Sequence, residues 1–365
     1  MDIMSLDTPA VLVDMDIVER NIRRLVGGAR SAGLAHRPHI KTHRCVELAK
    51  LQLAEGAQGI TCAKLGEAEV MADAGIDDIL IAYPVIGEIK LERYAALHKR
   101  IARLLSIINS FAGAKGLSDT ALRNGEVYDV LIEVDGGTSR GGIAPGQPVL
   151  DFADSLKDLK GIHICGLMYY PGINYFEHEK AGIIAAAERE RRDVVDTAEL
   201  LSSHGYEMSV LSGGNSISSK IPEYLKGLTE LRAGNYIFND CQQLYFDQVT
   251  EDDCALRVLA TVVCRTGPNT AILDVGTKTL SSDVFHGTEL GNGRIAGHKE
   301  IKITALNEEH AFIKSPQDLP FEIGDKVQII PNHSCVIPNL AGRMYKVREG
   351  KVCGALHVDA RGASR

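Results

Sequence analysis

The chain of 365 residues predicts a (β/α)8 TIM-type barrel followed by a C-terminal all-β domain. Two patterns predict it. From Val11 onward, short apolar runs alternate with amphipathic stretches in about eight strand–helix units. Near Thr250 the texture changes to short alternating strands separated by turn residues. The rival for the first part is a doubly wound open sheet, and no Gly-x-Gly-x-x-Gly follows the first apolar run to support it. The expected division is 14–249 for the barrel and 250–365 for the β-domain, which an N-terminal strand in 1–13 joins.

The elements follow in order. DMDIVERNIRRLVGGARSAG sets Ile17, Ile22, Leu25 and Val26 at helical spacing and ends in glycine. The segment leading to Lys41 comes next, then a helix around RCVELAKLQLAEG. QGITCA reads as a strand, KLGEAEVMADAG as a helix, DDILIAYP as a strand, GEIKLERYAALHK as a helix and IARLLSII as a strand. VYDVLIEVD, GIHICGLMYY, EMSVLSGG and LTELRAG are further strands, with a long helix from His178 among them. Beyond Thr250, eight short runs from CALRVLATVVCRT to KVCGALHVD carry the β-domain.

Composition excludes several classes. There are 40 basic and 48 acidic residues, a net charge of −8, and no basic block that would mark a nucleic-acid footprint. No apolar run approaches the roughly 20 residues of a membrane span. The start lacks a signal-peptide pattern, and the eight cysteines contain no Cys-x-x-Cys. A reduced, cytoplasmic setting is expected.

In a barrel the chemistry sits at the C-terminal ends of the strands. HRPHIKTHRC sets Lys41 among three histidines and two arginines where the first strand should end. Strand alternation would put Arg37, His39 and Lys41 on one face, leaving a lysine able to attack an aldehyde. VDGGTSRGG crowds four glycines around Arg140. LSGGNS (211–216) and LRAGNY (231–236) are glycine-bearing turns after the seventh and eighth strands, where barrels bind phosphate through backbone N–H groups. In PNHSC, His333 and Cys335 lie two apart after a strand, so a continuing strand would aim both the same way. His357 and Asp359 form a competing pair. His163 reads as a satisfied core residue within a strand, and His286 and His298 as loop residues.

The motifs TPAVLVD, RPHIKTH, VDGGTSRGG, YYPG, LSGGNS, ELRAGNYIF and PNHSC occur in the order seen in the D-threonine aldolase / D-serine dehydratase group. The chain resembles these fold-type III pyridoxal-phosphate (PLP) enzymes, whose barrel is similar to that of alanine racemase, over almost its whole length. The resemblance implies that Lys41 forms the Schiff base with PLP and that Arg140 faces the pyridine nitrogen. It implies that Tyr170 (or its neighbour Tyr169), Ser212, Gly213, Gly234, Asn235 and Tyr236 lie near the phosphate.

It also implies that His333 and Cys335 hold a divalent ion. Family aldolases often carry aspartate at the second position, which suits Mn²⁺ or Mg²⁺. The D-serine dehydratases carry cysteine, and Cys335 therefore favours Zn²⁺. Family aldolases place a histidine after the active-site tyrosine as a base for the β-hydroxyl, and His178 is the candidate here. The expectation is a PLP- and metal-dependent lyase cleaving a β-hydroxy-D-amino acid. D-threonine aldolase type comes first, and D-serine or 3-hydroxy-D-aspartate dehydratase second. A racemase needs a second base, for which Tyr345 is the only tyrosine in view, and a non-catalytic PLP-binding protein would lack the β-domain. A homodimer is expected, with the partner's β-domain closing the barrel mouth.

Overall fold

The strands of the first half read as continuous apolar runs, and such runs fold as parallel strands buried on both faces. The computed structural model describes residues 1–284 and 291–365. His286 lies outside the described residues. After strand β1 (Ala10–Asp14) and helix α1 (Met15–Ser31), a parallel series begins. Its strands are β2 (Ala35–His36), β3 (Ile60–Cys62), β4 (Asp78–Ile81), β5 (Arg103–Ile108), β6 (Tyr128–Val134), β7 (Ile162–Tyr169), β8 (Val210–Gly213) and β9 (Glu230–Leu231). Helices α2 (Val46–Ala54), α3 (Leu65–Asp73), α4 (Glu88–His98), α5 (Phe111–Asn124), α6 (Gln147–Ser155) and α7 (Lys180–Ser203) fall between them.

The parallel sheet runs β2-β9-β8-β7-β6-β5-β4-β3. A single parallel bridge, His39 to Thr61, links its two ends. Leu80, Leu105, Ile107, Leu131, Cys165, Met168 and Val210 pack together as one core cluster of these strands. Between β8 and β9 no α-helix forms; two 3₁₀ turns, Ser218–Lys220 and Pro222–Leu225, take its place. The cause is local. The Asn215 side chain accepts the N–H groups of Ile217 and Ser218, and Pro222 has none to give.

Two features depart from the sequence expectations. Helix α5 is one the apolar pattern hides, because glycines interrupt it. A Cβ on Gly113 would lie 2.9 Å from Ile86 Cδ1 and one on Gly116 3.1 Å from Leu91 Cδ1, so these glycines admit close packing. His163 is exposed at the start of β7, beside Asp129 at 2.9 Å, and is not a core residue.

The second half pairs antiparallel. Its strands are β10 (Leu256–Gly267), β11 (Thr270–Leu273), β12 (Arg294–Ile295), β13 (Lys302–Leu306), β14 (Ala311–Lys314), β15 (Lys326–Ile330), β16 (Arg343–Arg348) and β17 (Lys351–His357). The pairing β10-β11-β14-β13-β12-β15 returns to β10 and closes six strands into a ring. β1 pairs antiparallel with β10, Ala10 opposite Leu259, and parallel with β16, to which β17 adds. Burial alternates along β11 and over much of β15, as in sheets with one face to the core.

Two compact units divide the chain elsewhere than at 250. One comprises Met1–Arg23, Thr42–Glu47 and Asn235–Arg361; the other comprises Arg24–Lys41, Leu48–Gly234 and Gly362–Arg365. Residues 235–249 go with the antiparallel unit because their backbone bonds there, as in Cys241 N–H to Pro331 O at 3.0 Å. No helix among the described residues is long and apolar enough to cross a membrane.

Candidate active site

In the parallel unit, Pro38 shapes the segment that carries Lys41. It has no N–H to donate, and its carbonyl accepts Thr61 N–H at 2.8 Å. Arg37 N–H and His39 N–H bond to Leu231 O and Ala233 O. The strand then ends, and Ile40–Thr42 is a 3₁₀ turn. Strand alternation therefore does not reach Lys41. Arg37 is buried and His39 half-buried, whereas Lys41 is exposed. No acidic side chain lies within ion-pair distance of Lys41 among the described residues. His39 is held well below the usual imidazole range by burial, and the positive charges of Lys41, Arg232 and Arg140 push the same way.

Arg140 rides on a loop that its own glycines allow. Asp135 Oδ1 accepts the N–H groups of Gly137 (3.0 Å) and Ser139 (3.2 Å). A Cβ on Gly136 would fall 1.7 Å from Tyr170 O, so only glycine fits that approach. The Arg140 guanidinium lies 3.9 Å over the Tyr170 ring. Tyr169 turns the other way: it is buried, and its hydroxyl donates to Asp193 at 2.9 Å. Of the two tyrosines, Tyr170 is the one that accompanies Arg140.

Beneath them runs a chain of buried polar groups. Arg37 donates to Asp78 (2.5 Å) and Glu230 (2.9 Å), Ser212 donates to Glu230 (2.6 Å), and Arg232 donates to Ser212 (2.7 Å) and Tyr169 O (2.7 Å). Burial opposes the charge on Glu230, yet Arg37 holds its carboxyl below the ordinary range. Burial pushes Arg232 down to about 10, which leaves it charged near neutrality. Arg232 carries no motif of its own in the sequence. Its signal is its place inside the LRAGNY turn.

The two glycine-bearing turns differ. In 211–216 the Ser212 hydroxyl is committed to Glu230 and Arg232. Gly214 N–H bonds to Glu190 at 2.5 Å and Asn215 N–H to Ser218 Oγ at 3.2 Å. In 231–236 no partner for Gly234 N–H or Asn235 N–H occurs among the described residues. The second turn thus offers two adjacent amides to an anion, whereas Gly214 and Asn215 in the first are already bonded.

Glu190 gives a pH-dependent prediction. Burial raises its carboxyl from 4.5 to about 7. The folded state therefore holds this proton more tightly than the unfolded chain. The stabilisation is complete below the unfolded value and is lost as pH rises through the folded one. Glu190→Gln keeps an acceptor for Gly214 and removes the titration. Between about pH 5 and pH 8 the variant should gain about 2.5 kcal/mol on wild type in denaturant unfolding. Parallel pH profiles for the two proteins would exclude a protonated Glu190.

In the antiparallel unit, the strand does not continue through 331–335. Strand β15 stops at Ile330, and His333 and Cys335 are brought together by the turn that follows. The Cys335 charge, more than Asp240, holds the His333 imidazole well above its usual range, against its burial. His333 Nδ1 faces Asp240 Oδ2 at 3.4 Å, and Cys335 Sγ lies 3.1 Å from Thr42 Oγ1. Asn235 and Tyr236 are buried in the turn Asn235–Ile237, and Asn235 Nδ2 donates to Asp240 at 2.6 Å. The competing pair is otherwise occupied: Asp359 accepts Val46 N–H at 2.8 Å, and His357 is exposed. His178 is exposed just before α7.

The residues present fit both groups that the family implies. For PLP, an amine without an acidic partner stands among cations, and amides without partners sit at a turn. For a metal, one imidazole and one thiol form a donor pair that suits zinc, each with a polar neighbour behind it. No set of three His, Cys, Asp or Glu side chains among the described residues could hold an ion. The pair would leave coordination positions for water or substrate.

Comparison with known proteins agrees with the fold. The profile described as "Alanine racemase, N-terminal domain" matches residues 13–241, and a serine dehydratase domain matches 255–347. The chain is 32% identical to D-threonine aldolase of Arthrobacter sp. over 98% of its own length and 94% of that protein's. It is 32% identical to D-threo-3-hydroxyaspartate dehydratase of Delftia sp. (strain HT23), covering 91% of this chain and 92% of the other. The crystal structure of D-threonine aldolase from Filomicrobium marinum superimposes with a TM-score of 0.91 at 30% identity, over 100% of this chain and 98% of that one. Both halves of the molecule are thus matched together and end to end, and the chain belongs to the D-threonine aldolase / D-serine dehydratase family of alanine-racemase-like, PLP-dependent lyases.

Proposed function

We propose that the protein is a PLP- and divalent-metal-dependent lyase that cleaves a β-hydroxy-D-amino acid in the manner of a D-threonine aldolase, giving glycine and an aldehyde. The observation that carries this is the cationic set Lys41, Arg140 and Arg232 in a chain that aligns from end to end with an aldolase. The parallel unit is read as a (β/α)8 barrel in which 3₁₀ turns replace one helix.

Bound PLP supplies an electron sink for bonds broken at the substrate's Cα. Lys41 would hold the cofactor through its side-chain amine. Arg140 is the group at the pyridine nitrogen. Because guanidinium does not release its proton, Arg140 would donate to that nitrogen and leave it unprotonated. Tyr170, Ser212, Gly213, Gly234, Asn235 and Tyr236 form the phosphate end. The Gly234 and Asn235 amides do the binding there, while Ser212 acts from beneath through Arg232. His333 and Cys335 would hold the ion, which would supply a Lewis acid for the β-hydroxyl. His178 is the base that takes its proton.

A second reading is a D-serine or 3-hydroxy-D-aspartate dehydratase, and Cys335 favours it through its softer sulfur donor. Lys41 would then take the α-proton, and the metal would assist loss of hydroxide. Incubation with D-threonine, D-serine and 3-hydroxy-D-aspartate separates the readings, glycine plus aldehyde against 2-oxo acid plus ammonia. No turnover of any of the three would remove both.

Two expected results test parts of this proposal. Arg140→Ala should shift the absorption of bound PLP while leaving its affinity nearly unchanged, because the phosphate turn holds the cofactor. A variant that loses PLP but has wild-type spectrum and rate once reloaded would place Arg140 elsewhere. The enzyme should also sediment as a homodimer whose partner closes the barrel mouth, and an active monomer at assay concentration would exclude that closure.

A further inference from the structure

The metal pair sits beside a fully buried carboxylate whose bonding is more elaborate than a helix cap requires. Asp240 is 0% exposed. Its Oδ1 caps a short helix, Cys241–Tyr245, by accepting Gln243 N–H at 3.1 Å. Its Oδ2 does different work. It accepts Asn235 Nδ2 at 2.6 Å and Ser334 N–H at 2.9 Å, and it faces His333 Nδ1 at 3.4 Å. Ser334 also donates its hydroxyl to Asn235 Oδ1 at 3.2 Å, so the residue between His333 and Cys335 is held at both its backbone and its side chain. A single oxygen therefore fixes the turn between the two donors and lies against the imidazole of one of them.

We propose that Asp240 is the positioning residue of the metal site: its carboxylate accepts the Nδ1 proton of His333, fixes the tautomer and turns Nε2 toward the ion. This rests on the reading of His333 and Cys335 as ligands. The physical case is that an imidazole binds a metal through one nitrogen only, and the hydrogen bond at the other nitrogen decides which. The carboxylate also makes the ligand nitrogen a stronger donor. Thr42 stands to Cys335 as Asp240 stands to His333, since its buried hydroxyl lies 3.1 Å from the sulfur. Each donor thus has a polar neighbour that sets its orientation. Asp240 also holds Asn235, so loading of the ion and order in the Asn235–Ile237 turn share one anchor.

The test uses PLP-loaded protein and zinc. Zinc affinity is measured by competition with a chromophoric chelator in wild type, Asp240→Asn, His333→Ala and Cys335→Ala. Asp240→Asn keeps the volume but loses the charge and sets an amide against Gln243 N–H. It should weaken zinc binding by about 10- to 100-fold. In wild-type protein labelled with ¹⁵N-histidine, His333 should show a protonated Nδ1 and a metal-bound Nε2 in the zinc form. A role confined to folding would leave that signature and the zinc affinity of the folded variant unchanged. An Asp240→Asn protein that binds zinc within a few-fold of wild type overturns the inference, as does a metal-bound Nδ1. The spectrum needs no variant, so it decides even if Asp240→Asn fails to fold. Full zinc retention by His333→Ala and Cys335→Ala would instead remove the metal-site reading on which the inference stands.

Discussion

Lys41→Ala should yield a folded protein with no measurable turnover. Lys41 is exposed in a 3₁₀ turn, so its removal leaves no cavity. The expected loss is at least the roughly 10²–10⁴-fold that a positioned acid–base group supplies, and more if the covalent bond to the cofactor is also lost. The visible absorbance of lysine-bound cofactor should vanish with it, while PLP can still be held at its phosphate end. In wild type, borohydride reduction followed by peptide mapping should put the label on Lys41. A label on another lysine, such as Lys64 stacked 3.1 Å over Tyr83, would overturn the assignment.

On the proposed reading, in which the metal acts on the β-hydroxyl and not on the cofactor, His333→Ala should abolish activity with any divalent ion while the bound PLP spectrum stays largely intact. Cys335→Ala should lose zinc, and Cys335→Asp should weaken zinc and improve relative activity with Mn²⁺ by exchanging sulfur for a carboxylate oxygen. Chelation of wild type should mimic His333→Ala. Elemental analysis of wild type and the two alanine variants gives the decisive number. Equal metal content in all three would leave Cys335 as a packing residue and remove the proposed metal site.

Legibility in the sequence followed periodicity. Strand β6 was plain as VYDVLIEVD because a parallel strand buried on both faces is mostly apolar, with only Asp129 and Glu133 interrupting it. Helix α5 was not, since Gly113 and Gly116 serve helix packing and erase the amphipathic signal. Lys41 stood out by its company, but its orientation could not be inferred from alternation. Pro38 and the turn after it end the strand before alternation reaches Lys41. The contrast between the two glycine turns was hidden as well. It depends on Glu190, which α7 brings to Gly214 from 24 residues away. Asp240 was invisible for the same reason, since its bond to Ser334 spans 94 positions.

The buried chain from Arg37 through Glu230 and Ser212 to Arg232 bears on how such a protein can change. Its members satisfy one another, and removing one leaves a buried charge or a hydroxyl without a partner, at a cost of about 3–5 kcal/mol for a broken ion pair. Substitutions there are accepted only in concert, so the floor of the barrel is inherited as a block. Rim residues carry no such debt: Lys64 and Tyr83 touch each other above β3 and β4, and Tyr83 is half exposed. Substitutions at those two positions can come one at a time, over a floor that stays fixed.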